Sequence, residues 1–344
     1  MSIRQNGTER NHSMAMIEIS NLSKEYRTSG QKLLAVNNIS LALDKGDIFG
    51  FIGPNGAGKT TTIKMIATLL VPSSGSVFVD GLDVVKEPDK VRSILGYMPD
   101  SFGVYDDIKV WEYLDFFAAA YKISKDKRPA IIDDVLSLTD LSVKKNAYVE
   151  SLSRGMKQRL CLAKTLVHDP KVMLLDEPAS GLDPRARIEI RELLRELQRM
   201  GKTIMISSHI LPEMEEFCNK IGIIEKGEMI VSGDVRTISR QVRGNQVIEI
   251  TVLEELERAV SLLESMNEYV NDVKIMSRSH NENQNTHFSS STGHSLQFGY
   301  IGEPNHEYVV LNSLVDSGLK IRAFHSPKAD LEDVFMRVTK GLVN

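Results

Sequence analysis

The chain has 344 residues, 42% of them hydrophobic and 26% charged, and carries a formal net charge of −4. This is the composition of a soluble globular protein long enough for two domains, without the basic excess of a bulk nucleic-acid binder, so no nucleic-acid partner is expected. Cys161 and Cys218 are the only cysteines and both sit in apolar-periodic segments, which excludes a disulfide framework, and no apolar run is long enough to span a membrane.

Residues 1–15 form a polar tail without the apolar region of a signal segment and are expected to be disordered. Ile17 to Leu22 reads as a strand, and Leu33 to Leu43 as one or two antiparallel strands. Ile48 to Ile52 is a short apolar run that ends at Gly53. Thr62 to Leu70 then spaces its apolar residues as a helix does and stops at Pro72. Ser73-Ser74-Gly75 reads as a turn before a strand at Val77 to Val79.

From Tyr97 to Tyr121 aromatic residues crowd together in a chain that is only 6% aromatic: Tyr97, Phe102, Tyr105, Trp111, Tyr113, Phe116, Phe117 and Tyr121. Two readings fit, the core of a small helical subdomain and a docking groove for another protein, since interface cores favour aromatics. Ile131 to Leu141 and Gln158 to Leu166 read as helices. Val172 to Leu175 is a continuous apolar run, the pattern of a buried parallel strand, and it ends in Asp176-Glu177. Asp183-Pro184 supplies an N-cap and a proline at the first position of a helix that closes at Gly201. Thr203 to Ser207 is a further buried strand, with His209 just past its end, and Lys226-Gly227 marks a hairpin.

Beyond Gly233 the pattern expected is a strand (Val247 to Val252), a helix (Leu253 to Met266), then strand, helix and strand from Leu296 to Phe324, and a closing helix at Asp330 to Val338. Residues 276–295 are rich in Ser, Asn, His and Gln and are expected to be a disordered insert.

The chemistry centres on Gly53-Pro54-Asn55-Gly56-Ala57-Gly58-Lys59-Thr60-Thr61, which fits G-x-x-x-x-G-K-[ST] between a strand and a helix. Glycines let backbone N–H groups curl around phosphate oxygens, and the following helix presents its positive end. In such a loop Lys59 reaches the β- and γ-phosphates and the Thr60 hydroxyl ligates Mg²⁺. Asp176 ends a strand and can face that metal. Glu177, pointing the other way in an extended chain, suits a base that holds a water against the γ-phosphate.

The order of the blocks identifies a family. After the glycine loop come Leu152-Ser153-Arg154-Gly155-Met156-Lys157-Gln158-Arg159, Leu174-Leu175-Asp176-Glu177-Pro178, Ser180-Gly181-Leu182-Asp183 and His209. From about Ile17 to Gly233 this closely resembles the nucleotide-binding subunit of an ATP-binding-cassette transporter. The resemblance implies an α/β P-loop NTPase fold with a parallel core sheet, an antiparallel β subdomain, a helical signature subdomain and a small α+β C-terminal domain. It implies a cassette at 16–235 and an accessory domain at 240–344.

By the same resemblance ATP is held by Gly53, Pro54, Asn55, Gly56, Ala57, Gly58, Lys59, Thr60, Thr61 and Asp176, with Tyr26 stacking on adenine. Thr60 and Asp176 hold Mg²⁺, with Asp100 as a further candidate. Glu177 is the catalytic base and His209 the γ-phosphate contact, with Lys59, which holds the phosphates, as the third catalytic residue. The signature residues Ser153, Arg154, Gly155 and Met156 reach the nucleotide of a second subunit, and Asp183 belongs to the D-loop. Two motifs depart from the usual pattern: Arg154 and Met156 replace Gly and Gln in the signature, and Asp100 replaces a Gln.

The stretch Ala329-Asp330-Leu331-Glu332-Asp333-Val334-Phe335 resembles the accessory domain of ABC-2-type exporters whose ATPase is a separate polypeptide. The function implied is an ATPase that dimerises around two MgATP and drives a separately encoded membrane permease from the cytoplasmic face. A ribosome-acting cassette protein usually carries two cassettes, and a chromosome or repair ATPase separates its half-sites by long heptad coils. Neither pattern is present here, and Glu177 with His209 speaks against a non-hydrolysing regulator.

Overall fold

The computed structural model describes residues 15–28, 31–100, 103, 107–210, 214, 216–235, 237–238, 246–276, 293–303 and 306–326. The described chain divides into two compact units, the first reaching Ile238 and the second lying beyond it. The first opens with β1 (Ile17–Thr28), β2 (Gln31–Leu43) and β3 (Ile48–Ile52), followed by α1 (Lys59–Ile66), β4 (Ser74–Val79), β5 (Leu82–Asp83), α2 (Pro88–Ile94) and β6 (Leu95–Met98). Three helices follow, α3 (Val110–Ala120), α4 (Arg128–Leu138) and α5 (Arg154–Leu166). The unit closes with β7 (Val172–Asp176), α6 (Pro184–Arg199), β8 (Thr203–Ser208), β9 (Lys220–Glu225) and β10 (Glu228–Asp234).

Two sheets share this unit. The six-stranded sheet has the order β10-β9-β3-β8-β7-β6. Its strands run parallel except for β10, which pairs antiparallel at the edge. Every residue of β3, β7 and β8 is buried, which is why their sequences are near-continuous apolar runs. The strand order brings the carboxyl ends of β3, β8 and β7 side by side, and the loop after β3 and the carboxylates after β7 stand there. The second sheet, β2-β1-β4-β5, is antiparallel and packs into a core with α1 through Ile17, Leu22, Val36, Ile63 and Ile66.

The second unit contains β11 (Gln246–Val252), α7 (Leu256–Ser265), β12 (Val270–Met276), β13 (His294–Tyr300), α8 (Tyr308–Asp316) and β14 (Ile321–His325). Its order β14-β11-β13-β12 with two helices is a split β-α-β arrangement of the ferredoxin-like kind. Ile248, Ile250, Leu263, Leu296, Phe298 and Val310 form its core.

Several expectations from sequence need correction. β1 continues through Tyr26 to Thr28 instead of ending at Leu22, because register shifts in its pairing with β2 break the alternation without ending the ladder. Ser74 and Gly75 belong to β4, not to a turn; a Cβ on Gly75 would lie 2.3 Å from the Asn21 carbonyl of β1, so the glycine permits close strand approach. The expected insert is shorter at both ends, since Met276 pairs with Ser295 and His294 is also in a strand. The interior of that insert, the polar N-terminal tail up to residue 14, Phe102, Tyr105 and the closing helix at Asp330 to Val338 lie outside the described residues.

Candidate active site

The glycine loop leaves β3 and enters α1 at Lys59. Gly58 has φ +109°, and a Cβ there would meet the Ala35 carbonyl at 2.6 Å, so only glycine fits. The turn of the β9–β10 hairpin braces the loop from below: the Gly227 N–H donates to the Ala57 carbonyl at 2.9 Å. The Thr62 hydroxyl, facing inward, donates to the Gly58 carbonyl at 3.0 Å, while Thr60 is exposed and Thr61 is half-buried. Pro54, Asn55 and Gly56 line the exposed rim.

Lys59 is only 6% exposed. Its ammonium donates to the Gly53 carbonyl at 2.6 Å and to the Pro54 carbonyl at 3.2 Å. Burial pushes its pKa down, and the nearby Glu177 and Asp176 carboxylates pull it back up. A cation held in the loop by neutral carbonyls is poised to exchange them for an anion.

Asp176 is 1% exposed at the end of β7 and pairs in register with Ser207 of β8. The Ser207 hydroxyl donates to its carboxylate at 2.5 Å. Ser207 also receives the Glu177 N–H, at 3.0 Å on its hydroxyl and 3.2 Å on its carbonyl. Sequence reasoning missed Ser207 as a site residue; no local motif announces it, because its partners lie 30 and 31 positions away.

Glu177 is not extended as expected. Its φ of +51° puts it in the left-handed region, a strained conformation for a side-chain-bearing residue. That turn aims the carboxylate back over the loop. One oxygen meets His209 Nδ1 at 2.9 Å; the other stands 3.7 Å from Lys59 Nζ, is buried, and has no hydrogen-bond partner. The His209 side chain is half-exposed. A buried carboxylate oxygen without a donor calls for a ligand proton, and a water molecule supplies one.

Gln158 of α5 is buried and donates to the Pro178 carbonyl at 2.6 Å, immediately after Glu177. Ser153 caps α5 by accepting from the Met156 N–H at 3.3 Å, and Asp183 caps α6 by accepting from the Ala186 N–H at 2.9 Å. Ser153 and Arg154 are exposed, with Gly155 and Met156 half-buried. Asp100 is exposed; its charge, with that of Asp176, adds to burial in pushing the Tyr97 hydroxyl up to about 12, so it shares the electrostatic field of the site. Tyr26 is half-buried in β1, with Lys24 Nζ 5.6 Å from its ring centroid.

The donor set fits the expected ligands. Thr60 offers a hydroxyl and Asp176 a carboxylate, hard oxygens of the kind Mg²⁺ takes, and Mg²⁺ sites usually borrow further oxygens from substrate phosphates. Among the described residues no group of three or more His, Cys, Asp or Glu could hold a metal ion by protein ligands alone.

A glycine loop on a parallel sheet, a buried lysine within it and an acid pair on the neighbouring strand define a P-loop nucleotide-binding enzyme. The ABC transporter family model matches residues 36–180. The chain is 35% identical to the ABC transporter ATP-binding protein NatA of Bacillus subtilis, over 72% of this chain and 100% of that one. It is 34% identical to the Nod factor export ATP-binding protein I of Burkholderia orbicola, over 95% of this chain and 98% of that one. A dimeric bacterial ABC transporter cassette superposes with a TM-score of 0.59 at 25% identity, over 64% of this chain and 99% of that one. The chain belongs to the ATP-binding subunits of ABC transporters, and its reaction is the hydrolysis of ATP.

Proposed function

We propose that two copies of this chain close around two molecules of MgATP and that hydrolysis reopens them, driving a separate membrane permease that exports its cargo. The observation carrying this reading is Glu177, whose carboxylate has one oxygen on His209 and the other buried and unbonded, 3.7 Å from Lys59. Gly53 to Thr61 cradle the phosphates, Lys59 neutralises the β- and γ-phosphate charge, and Tyr26 stacks on the adenine. Thr60 and Asp176 hold Mg²⁺, which offsets phosphate charge when bound. Glu177 takes the proton of the attacking water as its oxygen bonds to the γ-phosphorus and the bond to the β-bridging oxygen breaks, leaving ADP and phosphate. His209 holds the glutamate in place. Ser153, Gly155 and Met156 of one copy face the nucleotide of the other, while Arg154 of the same signature turns its guanidinium to the Ser180 carbonyl of its own copy, with Asp183 on the adjoining turn.

Asp100 is proposed to lie in the water shell of the metal. Replacing Asp100 by Asn should therefore alter the Mg²⁺ dependence of hydrolysis while ATP affinity holds. An unchanged metal titration would place this side chain outside the site.

Residues 16–235 form the cassette and 240–344 an accessory unit in this reading. Export is supported by the likeness to the Nod factor export protein, which extends over 95% of this chain and so includes the second unit. No described helix is long and apolar enough to cross a membrane; in this reading the chain sits on the cytoplasmic face, held through the permease.

The surface for that partner is supported by the aromatic stretch. Tyr113 is buried, the core role, whereas Phe116 is 55% and Tyr121 40% exposed. Leu69, Tyr97, Phe117, Tyr121 and Lys164 line a cleft of about 200 Å³ there. Leu69 is 59% exposed, so Leu69→Asp should leave the fold and basal ATPase intact. A charge buried in an apolar interface is costly, and ATP-driven export in permease vesicles should fall at least about tenfold. Equal loss of basal and coupled activity, or no loss of export, would contradict this placement.

A further inference from the structure

Arg154 is one of the two signature positions at which this chain departs from the usual residues, and its side chain does not extend freely from the helix. It is the first residue of α5, and its guanidinium Nη2 donates to the Ser180 carbonyl at 3.2 Å. Its fit against Gly181 is close: a Cβ on Gly181 would fall within 2.2 Å of Nη2, 2.3 Å of Cζ and 2.6 Å of Nη1. Gly181 has φ +67°, so glycine here serves both the turn and the seat of the arginine. Among the described residues Arg154 pairs with no carboxylate; its bond is to a neutral carbonyl.

Gln158 lies one helical turn further on, on the same face of α5, and donates to the Pro178 carbonyl. Two side chains of the signature helix thus grip the backbone at positions 178 and 180, just after Glu177. The grip is short-coupled, because the Ser180 N–H donates to the Glu177 carbonyl at 3.1 Å and the Leu182 N–H to the Ala179 carbonyl at 3.3 Å. The far end of the turn is fixed as well, where Arg187 Nε donates to the Leu182 carbonyl at 3.0 Å and Asp183 caps α6.

We propose that Arg154 is a positioning residue that latches the turn Ser180–Asp183 to the start of the signature helix and so sets the backbone from which Glu177 projects. The proposal rests on the reading of Glu177 as the base and of the signature as facing the nucleotide of the second copy. It adds a consequence: nucleotide drawing on the signature of one copy adjusts the glutamate of that same copy, which serves the other ATP. The two sites are thereby linked through this arginine.

The test compares Arg154→Ala, Arg154→Lys, Gly181→Ala and the Arg154→Ala/Gly181→Ala double variant in ATPase assays of the full chain, with melting temperature recorded for each. Misplacing a catalytic group by about an ångström costs up to roughly a hundredfold, so Arg154→Ala should lower kcat about ten- to a hundredfold. Its KM for ATP should stay within about twofold of wild type, since the lost contact is not one to the nucleotide. The Hill coefficient for ATP should fall towards one. Arg154→Lys, which can still donate to the Ser180 carbonyl, should recover part of kcat. Gly181→Ala, which pushes the guanidinium out of its seat, should match Arg154→Ala, and the double variant should be no worse than the poorer single one.

Wild-type kcat and cooperativity in Arg154→Ala would overturn the latch. So would a rise in KM that grows with salt together with multiplying losses in the double variant, the outcome of a direct contact to phosphate. If Gly181→Ala fails to fold, the alanine and lysine variants at 154 still decide the matter. Failure of the underlying reading is separately visible, since Glu177→Gln would then keep its turnover.

Discussion

Glu177→Gln should hydrolyse ATP roughly 10²–10⁴-fold more slowly than wild type while binding it as well, if loss of the general base dominates. The substitution keeps the size of the side chain and a hydrogen-bonding group for His209, whose Nδ1 lies 2.9 Å from the carboxylate. What it removes is the negative charge and the basic oxygen that stands buried without a donor. The backbone need not move, because the Glu177 N–H is held by Ser207 and the strained φ of +51° is imposed by the turn. Single-turnover hydrolysis alongside equilibrium nucleotide binding separates the two effects. A variant that turns over at the wild-type rate would remove Glu177 from the chemistry.

Lys59→Ala should fail at the earlier step. The ammonium is buried, hydrogen-bonded to the Gly53 and Pro54 carbonyls, and lowered in pKa by that burial. Losing a buried, charge-assisted partner of the phosphates costs about 2–5 kcal/mol, or roughly 30- to 5,000-fold in ATP affinity. Without nucleotide the change is milder, since the cation was itself costly to bury and its acceptors are neutral carbonyls. ATP at about 100 times its Kd stabilises wild type by about 2.7 kcal/mol through binding linkage. The same ATP concentration should therefore raise the melting temperature of wild type by several degrees and leave that of Lys59→Ala almost unmoved. A full ATP-dependent shift in the variant would show that the lysine is not a phosphate ligand.

What could be read from the sequence follows a physical division. Ile48 to Ile52 and Val172 to Leu175 are apolar on both faces because their strands are buried on both faces, and the catalytic-loop glycines and Asp176-Glu177 stand at their ends. Those features are local and were legible. β12 was not, because Asp272 and Lys274 interrupt its apolar pattern and a register shift with a positive φ at Asp272 breaks the period. The left-handed Glu177 was not legible either: sequence suggests an extended residue, and the turn is held by Ser207, Gln158 and Arg154 from other elements. His209, which the resemblance places near the γ-phosphate, also meets the Glu177 carboxylate at 2.9 Å, a contact that no motif announces. Residues that support a site through tertiary hydrogen bonds carry no periodic or motif signal, so they emerge only once β7, β8 and α5 are assembled.

The central claim is that ATP joins two copies of this chain, each completing the other's site. The signature residues from Ser153 to Met156 begin α5, and the phosphate loop begins α1. Size-exclusion chromatography of Glu177→Gln with saturating MgATP tests the claim most directly, because slow hydrolysis leaves the closed state time to accumulate. The account predicts a stable dimer for Glu177→Gln, little dimer for wild type, and none when Lys59→Ala is added to the same chain. A Glu177→Gln variant that binds ATP yet remains monomeric, both alone and with its permease in detergent, would contradict it.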